Sequence, residues 1–85
     1  MMVRLVFLGK FGDIAPARLA EIALPRDVKT LAELKSWLAR AEPGLGEAME
    51  KTPTRLVLNQ CVARDLSHNV CDGDEIAFLP PMSGG

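Results

Sequence analysis

Several motifs that mark common enzymes are missing from this 85-residue chain. It contains no G-x-x-x-x-G-K phosphate loop, no G-x-G-x-x-G dinucleotide fingerprint and no G-x-S-x-G nucleophile elbow. His68 is the only histidine, and we interpret it as a solvated loop residue rather than as a base for Cys71. Asp72 and Asp74 flank Gly73 and are interpreted as turn-forming residues. We therefore predict that the chain is not an enzyme on its own.

The chain also has only two cysteines, a net charge close to zero and no long apolar run. Cys61 and Cys71 match no C-x-x-C zinc or redox spacing, and we expect reduced, partly buried thiols and no bound metal. No apolar run approaches the ~20 residues that span a bilayer. The 10 basic and 11 acidic residues give a net charge of −1, which indicates neither a nucleic-acid nor a membrane partner. The first residues show no signal-peptide pattern, so a cytoplasmic location is expected.

Hydrophobic patterning predicts one small α+β domain over residues 1–79, with four to five strands. Alternation over residues 3–8 predicts a first strand whose Val3, Leu5 and Phe7 face the core. Further strands are predicted at 21–24, 55–58, 61–63 and 75–79, with tight turns at 59–60 and 72–74. The core-facing residues of these strands are expected to be Ile22, Leu24, Leu56, Leu58, Ile76 and Phe78, and Leu66 and Val70 are expected to pack under the loop before the last strand. Residues 9–18 are predicted to be a connection, and the first two strands are expected to form a hairpin across it.

One main helix is predicted between the second and third strands. Thr30 and Glu33 have the spacing of a capping box, so the helix is expected to begin just after Thr30. It is expected to end at Pro43, with at most a short helical turn over residues 45–51. Its core-facing residues recur at helical spacing: Leu31, Leu34, Leu38 and Ala41. A single helix of this length can cover only one face of the sheet.

The other face of the sheet is unexpectedly apolar. Alternation places Val6, Leu8, Val57, Ala77 and Leu79 on this outer face. Scattered surface apolar residues are common and need no explanation. If the first and last strands are neighbours, however, these five side chains form one patch next to the end of the last strand. We therefore predict a docking surface for a partner protein.

The final six residues follow an apolar strand directly: Pro80, Pro81, Met82, Ser83, Gly84 and Gly85. Consecutive prolines fix φ and lack backbone donors, so the segment is predicted to leave the sheet extended. Its reach is roughly 20 Å at ~3.3 Å per residue. A narrow channel in a partner could close around the two glycines and take the free carboxylate. A frayed terminus is the alternative, but the strand and proline pair favour a functional arm.

The Asp72-Gly73-Asp74-Glu75 turn, the element order and above all Pro80-Pro81-Met82-Ser83-Gly84-Gly85 resemble the small, sulfur-carrying subunit of molybdopterin synthase. The resemblance spans the whole chain and is most specific from Asp72 onward. The Gly-Gly end alone also fits thiamine-pathway carriers and ubiquitin-like modifiers, which share the β-grasp fold. The resemblance implies a ubiquitin-like β-grasp domain over residues 1–79. Its mixed sheet would carry the main helix on one face, followed by an extended tail, residues 80–85.

The resemblance also implies a reactive role for Gly85. A ubiquitin-activating-like adenylyltransferase would adenylate its carboxylate with ATP and magnesium, and a sulfur donor protein would convert it to a thiocarboxylate. The tail from Pro80 to Gly84 would then enter the large synthase subunit, where the sulfur passes to a cyclic pyranopterin precursor of the molybdenum cofactor. The chain itself would bind no cofactor. By position, the family's apolar contact surface falls on Leu8, Val62 and Leu79, which adds Val62 to the outer-face residues.

Other functions stay open at this point. The chain could carry sulfur for another pathway, such as thiamine synthesis or tRNA thiolation, or could be a protein modifier joined to lysines through Gly85. A non-catalytic interaction module is an alternative of a different class. Met82 and Ser83 depart from the smaller or β-branched pair of many relatives, and Gly12-Asp13 replaces a more charged pair. These departures bear on the choice of partner.

Overall fold

A computed structural model describes residues 1–80 and contains one mixed sheet of five strands. The strands are β1 (Met2–Phe7), β2 (Glu21–Ala23), β3 (Arg55–Leu58), β4 (Cys61–Val62) and β5 (Glu75–Leu79). Their order across the sheet is β2-β1-β5-β3-β4. β1 and β5 are parallel, whereas the other neighbours are antiparallel. The first and last strands are therefore neighbours, as the outer-face prediction required. The predicted tail residues 81–85 lie outside the described residues.

The helices lie on one side of this sheet. They are α1 (Lys10–Ile14), a 3₁₀ helix (Ala17–Ala20), α2 (Leu31–Ala41) and α3 (Pro43–Lys51). α2 ends just before Pro43, as predicted, but Pro43 then begins α3, because the missing N–H of proline is harmless in a first helical turn. The expected short turn is thus a nine-residue helix. No helix within residues 1–80 has the length and apolar character needed to cross a membrane.

The core fills the space between the sheet and the helices. Phe7 of β1 stacks on Phe78 of β5 with a ring centroid distance of 4.9 Å. Ala41 is exposed, so the prediction that it faces the core together with Leu31, Leu34 and Leu38 is wrong. α2 ends at Ala41, and its last turn lies beyond the contact with the sheet. The residues that the patterning predicted for the core and that are buried are Val3, Leu5, Leu24, Leu31, Leu34, Leu38, Leu56, Val70, Ile76 and Phe78. Four others that it predicted are partly buried and pack against this core: Phe7, Ile22, Leu58 and Leu66.

The segment between β1 and β2 is not the plain connection that the sequence predicted. Phe11 of α1 and Leu19 of the 3₁₀ helix are both 0% exposed. Gly12 lets α1 pack on the end of β1, since a Cβ there would lie 2.8 Å from the Phe7 carbonyl oxygen. A five-residue helix with one buried side chain produces no periodic pattern, so hydrophobic patterning does not detect it.

Both cysteines are exposed, which corrects the expectation of partly buried thiols. Cys61 begins β4, which has two residues rather than the predicted three. β4 lies at an edge of the sheet, where no other strand of residues 1–80 pairs with its outer side. Cys71 lies in the loop before β5, and its N–H donates to a carboxylate oxygen of Asp74 at 2.7 Å. The local backbone rather than the core therefore sets the position of both thiols.

The turn before β5 joins three strands at one end of the sheet. The Asp72 carboxylate accepts a hydrogen bond from the Met2 N–H at 2.7 Å. The Asp74 carboxylate accepts from the side-chain amide of Asn59 at 2.9 Å. Asn59 also accepts from the Glu75 N–H at 2.9 Å through its side-chain oxygen. The two aspartates thus act as hydrogen-bond acceptors for the turn, as the sequence predicted.

The capping box of α2 makes the stability of the domain depend on pH. The Thr30 hydroxyl accepts from the Glu33 N–H at 3.2 Å. The Glu33 carboxylate accepts from the Lys29 N–H at 2.8 Å and from the Thr30 N–H at 3.0 Å. The Lys29 hydrogen bond is the main cause that lowers the pKa of Glu33 below its ordinary value of 4.5.

We expect a Glu33→Gln variant to lose less stability in acid than the unaltered chain. Because folding lowers the pKa of Glu33, its contribution is present above the ordinary pKa and is lost as the pH falls through the folded value. Urea unfolding between roughly pH 6 and pH 3 measures this difference. Parallel stability profiles for the two chains would contradict the prediction.

Candidate functional site

A row of four apolar side chains crosses the outer face of the sheet. Val6 pairs with Ala77, Ala77 pairs with Val57, and Val57 pairs with Val62. The row therefore runs across β1, β5, β3 and β4 in turn. Residues directly opposite each other in a sheet lie on the same face. The structure thus brings together four of the six residues predicted for partner binding.

A second row lies one step nearer the end of β5. The Leu8 N–H donates to the Phe78 carbonyl at 3.0 Å, which puts Leu8 at the level of Leu79. On its other side Leu79 pairs with Arg55 of β3. We call the two rows together the outer patch, which consists of Val6, Leu8, Val57, Val62, Ala77 and Leu79.

The outer patch differs sharply in exposure from the opposite face of the same strands. Val62 is 56% exposed and Leu8 is 43% exposed, and the other four members are half-buried by their neighbours. On the helix side, Ile76 and Phe78 are fully buried. No member of the outer patch belongs to the buried core of residues 1–80. Within the described chain, the helices therefore leave this apolar face uncovered.

Charged residues border the outer patch along the strands. At the start of β5, Arg4 and Glu75 form a salt bridge of 3.0 Å. At the other end Arg55 lies beside Leu79 and forms no salt bridge with the described residues. An apolar centre with a polar rim is the usual anatomy of a protein–protein interface. Arg55 is paired with the last residue of β5, next to the point where the chain leaves the sheet.

That point is Pro80, which follows the last residue of the central strand β5. Proline has no N–H, so the ladder cannot continue through it. The ring of Pro80 lies against Gly9, in the space that a side chain would need: a Cβ on Gly9 would lie 2.8 Å from Pro80 Cγ. Gly9 has φ +58° and ψ −139°. The turn between β1 and α1 thus packs against the first residue of the tail, and we call this contact between Gly9 and Pro80 the seat.

Sequence reasoning did not single out Gly9 as a functional residue. The sequence pattern places Gly9 only in the predicted connection over residues 9–18, because nothing in the local sequence shows which distant residue lies beside it. The contact joins positions 9 and 80, so it exists only once β1 and β5 are paired in parallel. The other members of the predicted tail, Pro81, Met82, Ser83, Gly84 and Gly85, lie outside the described residues.

The remaining polar candidates serve local loop structure. His68 is exposed, and its carbonyl accepts from the Leu31 N–H at 3.0 Å, which ties the loop to the start of α2. Hydrogen bonds from the side chain and the N–H of Ser67 lower the pKa of Asp65. Among residues 1–80, no group of three or more His, Cys, Asp or Glu side chains is placed to hold a metal ion.

A five-stranded mixed sheet with a helical layer on one face and a central last strand defines a ubiquitin-like β-grasp protein. The predicted fold class is confirmed by the crystal structure of SAMP1 from Haloferax volcanii, which matches over 100% of both chains with a TM-score of 0.76 and 21% identity. The chain belongs to the ThiS family, whose family model matches residues 6–85. The family resemblance stated from the sequence is therefore confirmed.

Two further similarities are more specific. The chain is 27% identical over 84 residues to the molybdopterin synthase sulfur carrier subunit of Escherichia coli K12, which covers 99% of this chain and 100% of that protein. It is also similar to a chain in the protein–protein complex of subunits 1 and 2 of the molybdopterin-converting factor from Helicobacter pylori 26695. That match has a TM-score of 0.65 and 29% identity and covers 100% of both chains.

Proposed function

We propose that this chain is the sulfur carrier subunit of a molybdopterin synthase and that Gly85 carries the sulfur. One observation carries the proposal: the central strand β5 leads into a Pro-Pro-Met-Ser-Gly-Gly end beside an uncovered apolar face. The names of its relatives from Escherichia coli and Helicobacter pylori support it. The chain is then a sulfur-donating subunit within a two-part cytoplasmic enzyme and has no catalytic activity alone.

Activation of the Gly85 carboxylate is the first step of the proposed cycle. A carboxylate is a poor electrophile, so an adenylyltransferase of the ubiquitin-activating kind joins it to AMP and releases pyrophosphate from ATP. The ATP and magnesium belong to that partner. A sulfur donor protein then supplies sulfur at the hydrosulfide level. The hydrosulfide forms a C–S bond to the Gly85 carbonyl carbon as the C–O bond to AMP breaks, which leaves AMP and a thiocarboxylate.

Sulfur transfer occurs after the chain docks on the large subunit. The outer patch provides the apolar docking surface, and its position beside Pro80 directs the tail into the partner rather than into solvent. Residues 80–84 span the channel, and the side-chain-free Gly84 and Gly85 fit its narrow end. The thiocarboxylate sulfur is a soft nucleophile that attacks a carbon of the cyclic pyranopterin precursor and displaces an oxygen substituent, so that a thioester joins Gly85 to the pterin. Water then cleaves the acyl C–S bond, which leaves the sulfur on the pterin and returns Gly85 to its carboxylate.

A reconstitution with two readouts tests this function. Chemically thiocarboxylated chain is mixed with a molybdopterin synthase large subunit and the pterin precursor, and the chain with an ordinary carboxylate serves as the matched control. We expect molybdopterin only with the thiocarboxylated chain, while its intact mass shows sulfur replaced by oxygen. A thiocarboxylate that survives beside a cognate large subunit, with no product, would contradict the proposal and assign the sulfur to another acceptor.

A further inference from the structure

The turn between β1 and α1 has a backbone conformation that is essentially restricted to glycine. Gly9 has φ +58° and ψ −139°, a region that residues with a Cβ avoid. The described chain has one other glycine with a positive φ, Gly73, at φ +86°. Both glycines lie in turns, so turn geometry alone accounts for a glycine at either position.

The surroundings of the two glycines are different. A Cβ built on Gly73 meets nothing within 4 Å, whereas a Cβ on Gly9 would lie 2.8 Å from Pro80 Cγ and 3.4 Å from Pro80 Cδ. Real Cβ atoms essentially never approach another heavy atom as closely as 2.8 Å. Gly9 therefore does more than permit a turn, because its missing side chain leaves the volume that the proline ring fills.

This contact lies just beyond the last hydrogen bonds of the sheet. The Leu8 N–H donates to the Phe78 carbonyl, and Leu79 pairs with Arg55. Pro80 has no N–H with which to extend the ladder. Beyond the ladder, the ring of Pro80 packs against Gly9 at the end of the sheet.

We propose that Gly9 is a positioning residue that seats the Pro80 ring on the turn between β1 and α1. The seat sets the direction in which the tail leaves the domain. This inference rests on the proposed function, because it concerns how the carboxylate of Gly85 is presented to a partner's channel. A tail whose first residue is already placed loses less conformational entropy when the partner orders it.

The expected effect is on recognition rather than on chemistry. For a Gly9→Ala variant we expect the KM of the chain, as substrate of the adenylating enzyme, to rise about fivefold, and kcat to change by less than about twofold. Gly73→Ala is the matched control, since it places a side chain on a glycine of positive φ with open space around it. Its KM is expected to stay within about twofold of the unaltered chain.

A double-mutant cycle isolates the contact itself from backbone strain. Pro80→Ala removes the ring, so we expect its KM also to rise about fivefold. Once the ring is gone, a Cβ on Gly9 no longer meets it, and the double variant is expected to be no worse than Pro80→Ala alone. Pyrophosphate release at a temperature where each variant is folded gives these constants. Nuclear Overhauser contacts between Gly9 Hα and Pro80 Hγ report the seat directly, without any enzyme.

The outcomes separate the inference from the function on which it rests. Missing Gly9–Pro80 Overhauser contacts, or KM effects that simply multiply in the double variant, overturn the inference while the unaltered chain is still adenylated. An unaltered chain that is never adenylated overturns the proposed function and the inference with it. If Gly9→Ala does not fold, the Pro80→Ala variant alone tests the inference, because residue 80 follows the last strand. An unchanged KM for Pro80→Ala overturns the proposal.

Discussion

Deletion of Gly85 is expected to abolish sulfur transfer while the domain stays folded. The deletion withdraws the terminal carboxylate by about 3.5 Å. A misplacement of even 1 Å at a reacting atom can lower a rate about 100-fold, so a loss of at least this size is expected. Molybdopterin formation with the activating enzyme, the sulfur donor and the large subunit present measures the effect.

A chain extended by one serine after Gly85 tests the same point without shortening the tail. It is expected to be equally inactive, because no free carboxylate is left on Gly85 to adenylate. The same serine placed before Met1 is the matched control and is expected to leave transfer unchanged. The thermal midpoint should be the same in all three chains, since residue 85 lies beyond the last strand. Full activity of the shortened or extended chain would favour the non-catalytic interaction module.

Charge substitutions in the outer patch are expected to prevent binding of the large subunit. Leu8 is 43% exposed, so an aspartate at this position is solvated in the free chain and the fold is retained. In the complex that carboxylate would lie in an apolar contact without a partner, at a penalty of about 3 kcal/mol or more. The Kd measured by calorimetry should therefore rise at least about 100-fold.

The chain offers a closely matched control for this substitution. Ile14 of α1 is 44% exposed and lies on the helix side of the sheet. Ile14→Asp therefore adds the same charge at a similar apolar position outside the outer patch. It should leave the Kd unchanged within about twofold. Val62→Asp should behave like Leu8→Asp, and unchanged binding in both outer-patch variants would refute the docking surface.

The elements with strong periodicity were predicted correctly from the sequence. Alternation in β1 and β5 placed Leu5 and Phe78 in the core and Val6 and Ala77 outside, because a strand permits only two faces. The capping box fixed the start of α2 for a similarly local reason: Thr30 and its partner are three residues apart. Such features depend on near neighbours, and near neighbours are visible in a sequence.

The errors concern features that depend on distant contacts. Phe11 is fully buried only because α1 folds back under the end of β1, and Ala41 is exposed because α2 ends beside it. The cross-strand row from Val6 to Val62 requires the strand order, which alternation alone does not determine. The seat formed by Gly9 and Pro80 joins the two ends of the chain, so only the folded domain shows it.

The central position of β5 also determines how the domain responds to a pull on its tail. β5 is hydrogen-bonded on both sides, to β1 in parallel and to β3 in antiparallel orientation. A force applied along the tail would load both ladders together in shear, whereas an edge strand would peel away one bond at a time. We therefore expect the domain to resist tension on its tail better than a domain whose last strand lies at a sheet edge.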